Sequence, residues 1–326
     1  MIGKVLIFVG TSILVTLLIA VGLILSQRPT DLPPGDGLNF TGTLDTDRPE
    51  PQALSSVRMR DGYEVQVRFY PSLQDDAPLL VLVHGSGWHG MQFDGLARQL
   101  SATADVVVPD LRGHGTQPGR RGDIDYIDQF EDDLADLITA QAKPGQKVIL
   151  GGHSSGGGLV VRFAGGVHRD LIDGAVLLAP FLKHNAPTMR PDAGGWSNPL
   201  LRRIIGLSML NTVKITALNH LTIMQFRMPQ VVLDGPLGDT ATTRYSYRLN
   251  TGFAPRGDYL GDVAKLPPFV LIAGTADEAF VATAYEASLS GATDKGQYVL
   301  VDGVGHLDIV NAPETAAVIE GFLNEF

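Results

Sequence analysis

The 326-residue sequence contains no cysteine. That absence excludes thiol catalysis, thiolate-bound metal and disulfide staples, and it leaves the redox compartment open. Positive charge is also in short supply: 25 Lys and Arg against 35 Asp and Glu give a formal charge of −10, with no basic run. A nucleic-acid partner, which needs a basic patch or stripe, is therefore not expected. No internal repeat or low-complexity tract is visible. The remaining composition, 44% hydrophobic and 18% charged, is that of a globular enzyme with enough chain to bury a large core.

The clearest break lies near the N-terminus. Val5 to Ser26 runs 22 residues without a charge and is rich in Leu, Ile and Val. At about 1.5 Å per residue, a helix of that length reaches across the roughly 30 Å of a bilayer core. A cleaved secretory signal is the other reading. Signal cores usually stop at about 7–15 residues, and no small-x-small site follows Leu25, so length favours an uncleaved membrane anchor over residues 1–30. Lys4 precedes the span, and Arg28, Asp31 and Asp36 follow it. This bias favours the N-terminus inside and the rest of the chain outside the cytoplasm. Residues 31–54, rich in Pro, Gly, Asp and Thr, read as a linker that isolates the span from a catalytic domain over 55–326.

Beyond the linker, short apolar runs alternate with helical patterns. Val65–Phe69 alternates as a half-buried strand does, while 79–83, 106–108, 148–150, 175–178, 269–272 and 298–301 are continuous apolar runs. Such runs suit a parallel sheet covered on both faces. Helical segments over 93–100, 127–139, 159–164, 282–289 and 314–323 fall between them, which predicts a doubly wound, mostly parallel α/β sheet. The interval from Pro180 to Phe269 is far longer than a crossover needs, so residues 181–262 are expected to form an inserted cap.

Gly152-His153-Ser154-Ser155-Gly156 follows the apolar run 148–150 and precedes a helical stretch. A strand-to-helix turn this sharp strains the backbone at its serine, and flanking glycines remove the Cβ clashes. The hydroxyl of Ser154 is thereby presented as a nucleophile; Ser155 is its neighbour, but the two glycines centre on Ser154. A serine needs a base in reach. Of eight histidines, His306 lies in the loop after the last strand-like run, which gives the order serine, acid, histidine. His84, His89, His114 and His153 precede or adjoin the serine, and His168, His184 and His220 lack a strand-end context. The acid that orients the imidazole is expected at Asp277, after the run 269–274, with Glu278 adjacent and Asp302 and Asp308 close to the histidine in sequence. Two backbone N–H groups are needed to hold an oxyanion. Ser155 is expected to supply one; His84-Gly85-Ser86-Gly87 is expected to supply the other, from Ser86, with Gly87 as its near rival.

With these pieces the chain resembles the monoacylglycerol lipase and lysophospholipase branch of the α/β-hydrolases, the serine aminopeptidase S33-like group. The resemblance rests on His84 to His89, on Asp110-Leu111-Arg112-Gly113-His114-Gly115, on Gly152 to Gly156 and on the loops of Asp277 and His306, with Gly119 to Gly122 in support. It spans roughly Ser55 to Phe326. The branch often carries an acidic residue where Trp88 stands. The resemblance implies an α/β-hydrolase fold and hydrolysis of small or lipid carboxylic esters, including monoacylglycerols, without metal or cofactor. An S33-like aminopeptidase, which would bring acids to bind a peptide amine, an acyltransferase and a non-catalytic membrane-tethered module are the alternatives. The many apolar residues of Leu200 to Met228, three methionines near them included, suit a roof over an acyl chain or packing on the sheet.

Overall fold

Strands buried on both faces have no polar side to present to water, and the continuous apolar runs form the centre of the main sheet except 298–301, which lies in a half-exposed edge strand. The computed structural model describes residues 2–35, 37–41, 49–191 and 195–326; Asp36, residues 42–48 of the segment read as a linker and residues 192–194 of the cap lie outside it. The chain opens with α1 (Ile2–Leu25). The sheet begins with β1 (Leu54–Arg58), β2 (Glu64–Tyr70), β3 (Leu79–Val83), β4 (Asp105–Asp110), β5 (Val148–His153) and β6 (Gly174–Leu178), with α2 (Asp94–Leu100), α3 (Gln129–Gln141) and α4 (Ser155–Gly165) between strands. Every residue of β3, β4, β5 and β6 is buried.

An insertion then adds β7 (Ser197–Pro199), α5 (Leu201–Thr212), β8 (Thr222–Phe226), α6 (Gln230–Leu233), β9 (Arg244–Ser246), α7 (Tyr247–Phe253) and α8 (Tyr259–Val263). Its three strands make a small antiparallel sheet of their own, ordered β7-β8-β9. The chain returns through β10 (Phe269–Gly274), α9 (Tyr285–Leu289), β11 (Gly296–Val301) and α10 (Pro313–Leu323). The main sheet has eight strands in the order β1-β2-β4-β3-β5-β6-β10-β11. Its first two pairings are antiparallel and the rest parallel. Helix α2 packs with α10, and α3 with α4 and α7. This is a mostly parallel, doubly wound α/β-hydrolase sheet with a cap after β6.

The helix α1 has 24 residues, long and apolar enough to cross a membrane, and most of its side chains are exposed. Its C-terminal half does not stand apart. Ala20 and Ile24 are buried in a cluster with Leu207 and Leu210 of α5, Ile223 and Tyr247. The Cβ of any residue at Gly206 would lie 2.5 Å from the carbonyl oxygen of Ala20, so glycine is what allows the two helices this approach. The backbone N–H of Arg202 donates to Gln27 Oε1 at 2.8 Å. The following segment is also tied down: Gln225 Oε1 accepts from the Thr30 N–H, Arg244 pairs with Asp31 at 2.9 Å, and Leu38 and Phe40 are buried in the main core. Burial of each such side chain contributes about 1.5–3 kcal/mol, so residues 28–35 and 37–41 form a strap held against the cap and the main core rather than an isolating tether.

Candidate active site

The strand β5 ends at His153 and α4 starts at Ser155, which leaves Ser154 to make the turn alone at φ 54, ψ −118. A non-glycine residue held there costs on the order of 1–3 kcal/mol. Three backbone hydrogen bonds hold it in place. The Ser154 N–H donates to Leu178 O at 2.9 Å, and its carbonyl accepts from Gly158 and Phe181 at 3.0 and 2.8 Å. Both flanking glycines are required by close approach. A Cβ at Gly152 would run into the Gly156 backbone, and a Cβ at Gly156 into the carbonyl oxygens of Val83 and His84.

Parallel pairing brings the C-terminal ends of β3, β5, β10 and β11 to one edge, with Val83 opposite Gly152 and Gly274 opposite Val301. The loops that follow therefore converge. His306 Nε2 lies 3.0 Å from Ser154 Oγ, and His306 Nδ1 lies 2.8 Å from Asp277 Oδ2. With Nδ1–H donating to the carboxylate, Nε2 is left to accept from the serine hydroxyl. The other carboxylate oxygen, Asp277 Oδ1, accepts from the N–H groups of Ala279 and Phe280 at 2.8 and 2.7 Å. Burial pushes the Asp277 carboxyl up, but the adjacent His306 and the two backbone donors outweigh it, and the net effect lowers it below the ordinary carboxylate range. Asp277 is thus a buried, ionised acceptor at neutral pH.

The neighbouring candidates have other partners. Glu278 Oε2 accepts from the backbone N–H of His306 at 2.7 Å, Asp302 accepts from Thr275 Oγ1, and Ser155 Oγ pairs with Ser86 Oγ at 2.6 Å. His84 Nε2 accepts from the Leu111 N–H, His89 Nε2 pairs with Thr240, His114 Nε2 with the Tyr245 hydroxyl, and His168 with Asp132. His184 and His220 are exposed. In the loop after β3 the Gly85 N–H donates to Gln92 Oε1 and the Gly87 N–H donates to the Tyr245 hydroxyl. The Ser86 N–H has no acceptor among the described residues. Ser155, first residue of α4, also keeps its N–H free of the helix ladder. Both residues line the cleft beside Ser154 and His306, and the partial positive end of α4 lies at Ser155.

Gln92 and Tyr245 carry no motif and escape sequence reasoning. Because Gln92 Oε1 accepts from Gly85, its Nε2 donates to His153 Nδ1 at 2.6 Å. His153 Nε2–H then donates to the carbonyl of His306 at 2.8 Å and braces that residue. Above the site lies a cleft of ≈ 110 Å³. Phe181, Met189, Met224, Phe226, Phe253 and Phe280 are among the apolar residues of its wall, and no carboxylate lines it among the described residues. No cluster of three potential metal ligands occurs among the described residues.

Comparison with known proteins gives a match of residues 74–311 to the family model for the serine aminopeptidase S33 family. Human monoglyceride lipase is 27% identical over 163 residues, 49% of this chain and 52% of that one. Against its curated relatives the chain spans between about a quarter and a half of their length. A soluble variant of monoglyceride lipase from Saccharomyces cerevisiae superposes with a TM-score of 0.62 at 16% identity, over 85% of this chain and 96% of that one. A bacterial membrane phospholipase A superposes with a TM-score of 0.55 at 18% identity, over 99% of this chain and 97% of that one.

Proposed function

The chain belongs to the serine aminopeptidase S33 family of α/β-hydrolases, and from that premise we propose that it hydrolyses carboxylic esters of single-chain lipids, monoacylglycerols among them, through an acyl-enzyme on Ser154. The relay Ser154 Oγ–His306 Nε2 and His306 Nδ1–Asp277 at the strained turn is the observation that carries this reading. His306 accepts the serine proton as Oγ attacks the acyl carbonyl, and ionised Asp277 holds the imidazolium that results. The Ser86 and Ser155 N–H groups receive the oxyanion. His306 then protonates the departing alkoxy oxygen, and water repeats the sequence on the acyl-enzyme with the same groups.

The apolar cleft supports an acyl chain, and the lack of a carboxylate in its described wall disfavours a peptide amine, which an aminopeptidase must hold. Human monoglyceride lipase and its yeast counterpart, by their names, act on such lipids. For localisation, α1 supports a single-pass anchor, and Lys4 before it supports a catalytic domain outside the cytoplasm. Each methylene that the cleft buries contributes about 0.8 kcal/mol. The expected result is therefore a several-fold rise in kcat/KM per two carbons from acetyl towards medium chains (roughly C6–C12). p-Nitrophenyl esters of increasing length, run beside aminoacyl nitroanilides, test this; a preference for acetate or for the anilides would refute it.

A further inference from the structure

Beside the main cleft a second, much narrower pocket of ≈ 20 Å³ reaches the same reacting atoms. The two share Ser86, Ser154, Trp196 and His306, so they meet at the nucleophile with the Trp196 ring between them. An ester also has two arms that meet at one carbon. During acylation the bond from the acyl carbon to the alkoxy oxygen breaks and a bond to Ser154 Oγ forms. The serine proton passes through His306 Nε2 to the departing oxygen. The larger cleft suits the acyl arm, which leaves the second pocket for the alcohol.

That pocket is closed by the strap. Leu38 and Phe40 are 6% and 5% exposed and line it, together with Trp88, Trp196 and Leu307. The Phe40 ring stands edge-on to Trp88 with centroids 6.0 Å apart, and tilted against Trp196 at 5.6 Å. The polar side chains in the wall are already spoken for, since Gln92 and His153 bond each other, Gly85 and His306. One donor is not: Trp88 Nε1 is buried with no partner among the described residues. A buried N–H without an acceptor is costly, and an oxygen on the bound alcohol arm would satisfy it.

We propose that this pocket receives the alcohol arm and that Phe40 and Leu38, from the strap beside the membrane span, restrict it to short alcohols, with the Trp88 indole favouring one that carries a further oxygen. The proposal rests on the ester-hydrolase reading above. The region next to the anchor is on this account a specificity element as well as a connection.

The test varies the two arms separately with the full chain in detergent micelles. One series holds the acid at octanoate and changes the alcohol from methyl and propyl to glyceryl and naphthylmethyl. The other holds methyl and changes the acid from two to twelve carbons. Phe40→Ala is expected to raise the naphthylmethyl-to-methyl ratio of kcat/KM by about tenfold or more, and Phe40→Leu by less, with the acid-length profile unchanged. Phe40→Leu also carries the test where the alanine variant does not fold. Trp88→Phe is expected to lower the glyceryl-to-propyl ratio by about five- to tenfold. Unchanged alcohol ratios in the folded Phe40 variants, or a shift in the acid-length profile instead, would overturn the assignment. A wild-type chain that hydrolyses no ester and takes no fluorophosphonate label on Ser154 would overturn the hydrolase reading and this one with it; a labelled, active chain with unchanged ratios overturns the pocket alone.

Discussion

Acidification to pH 5 should destabilise this protein well before its carboxylates protonate, because several histidines are buried in neutral form. Burial pushes His89 down to about 4, against the opposing pull of Asp110, and His153 down to about 3, with His306 adding to the effect. Burial lowers His84 and His114 as well. In the unfolded chain each histidine titrates near about 6.5. Between that value and the folded one the unfolded state binds a proton that the folded state refuses, so stability falls as pH drops below about 6.5. At pH 5 the interval is about 1.5 units, or about 2 kcal/mol for each of His89 and His153. The two together cost about 4 kcal/mol, with His84 and His114 acting in the same direction, against a total of about 5–15 kcal/mol for a typical domain. The carboxylates held low, Asp277 among them, respond only below about pH 4, while Asp133 and Asp308, which burial pushes up, act against the histidines as pH falls. Thermal unfolding of the full chain in micelles, followed by circular dichroism at pH 7.5 and 5.0, should show a fall in Tm of at least about 8 °C at about 2 °C per kcal/mol. His89→Gln should show a smaller loss over the same range. An unchanged Tm down to pH 5 would refute the premise that these rings are neutral because they are buried.

Two further outcomes follow from particular contacts. Tyr245→Phe removes the acceptor for the Gly87 N–H and the partner of His114; stability should fall by about 1–3 kcal/mol and kcat should drop with little change in KM, as measured by urea unfolding and ester kinetics. Removal of residues 1–30 strips Ala20 and Ile24 from Leu207, Leu210 and Ile223; the remainder should unfold at lower temperature and associate in light scattering, and an unchanged, monodisperse core would contradict the packing of α1 on the cap.

The parts of the fold legible in the sequence are those where burial is uniform. The strands β3, β4, β5 and β6 are buried along their length and read as apolar runs, with ends extended by only a few residues in the structure. The edge strand β1 buries Val57 alone, so it carries no pattern to read. Within the cap, β7 and β9 have three residues each, too few for a period, and the Leu200–Met228 run divides into α5 and β8. The strap misleads for a different reason. Its Pro and Gly content is that of a linker, while what holds it are partners such as Gln225 and Arg244, some 200 residues away in sequence, which no local window contains. At the site, Ser154, Asp277 and His306 occupy strand-end loops and could be named from order; the structure brings their side chains together. The expectation of Ser86 over Gly87 gains support from the Tyr245 hydroxyl, which takes the Gly87 N–H, and Tyr245 comes from β9 of the cap, far from any motif.

The central claim, that Ser154 is the nucleophile of this chain, is tested most directly by locating a covalent adduct. The full-length protein is treated with a fluorophosphonate, digested, and the modified peptide sequenced by mass spectrometry. The account predicts one adduct, on Ser154, formed in step with loss of esterase activity, and neither adduct nor turnover in a folded Ser154→Ala variant. Modification of Ser155 or Ser86 in place of Ser154, or turnover that persists in Ser154→Ala, would contradict it.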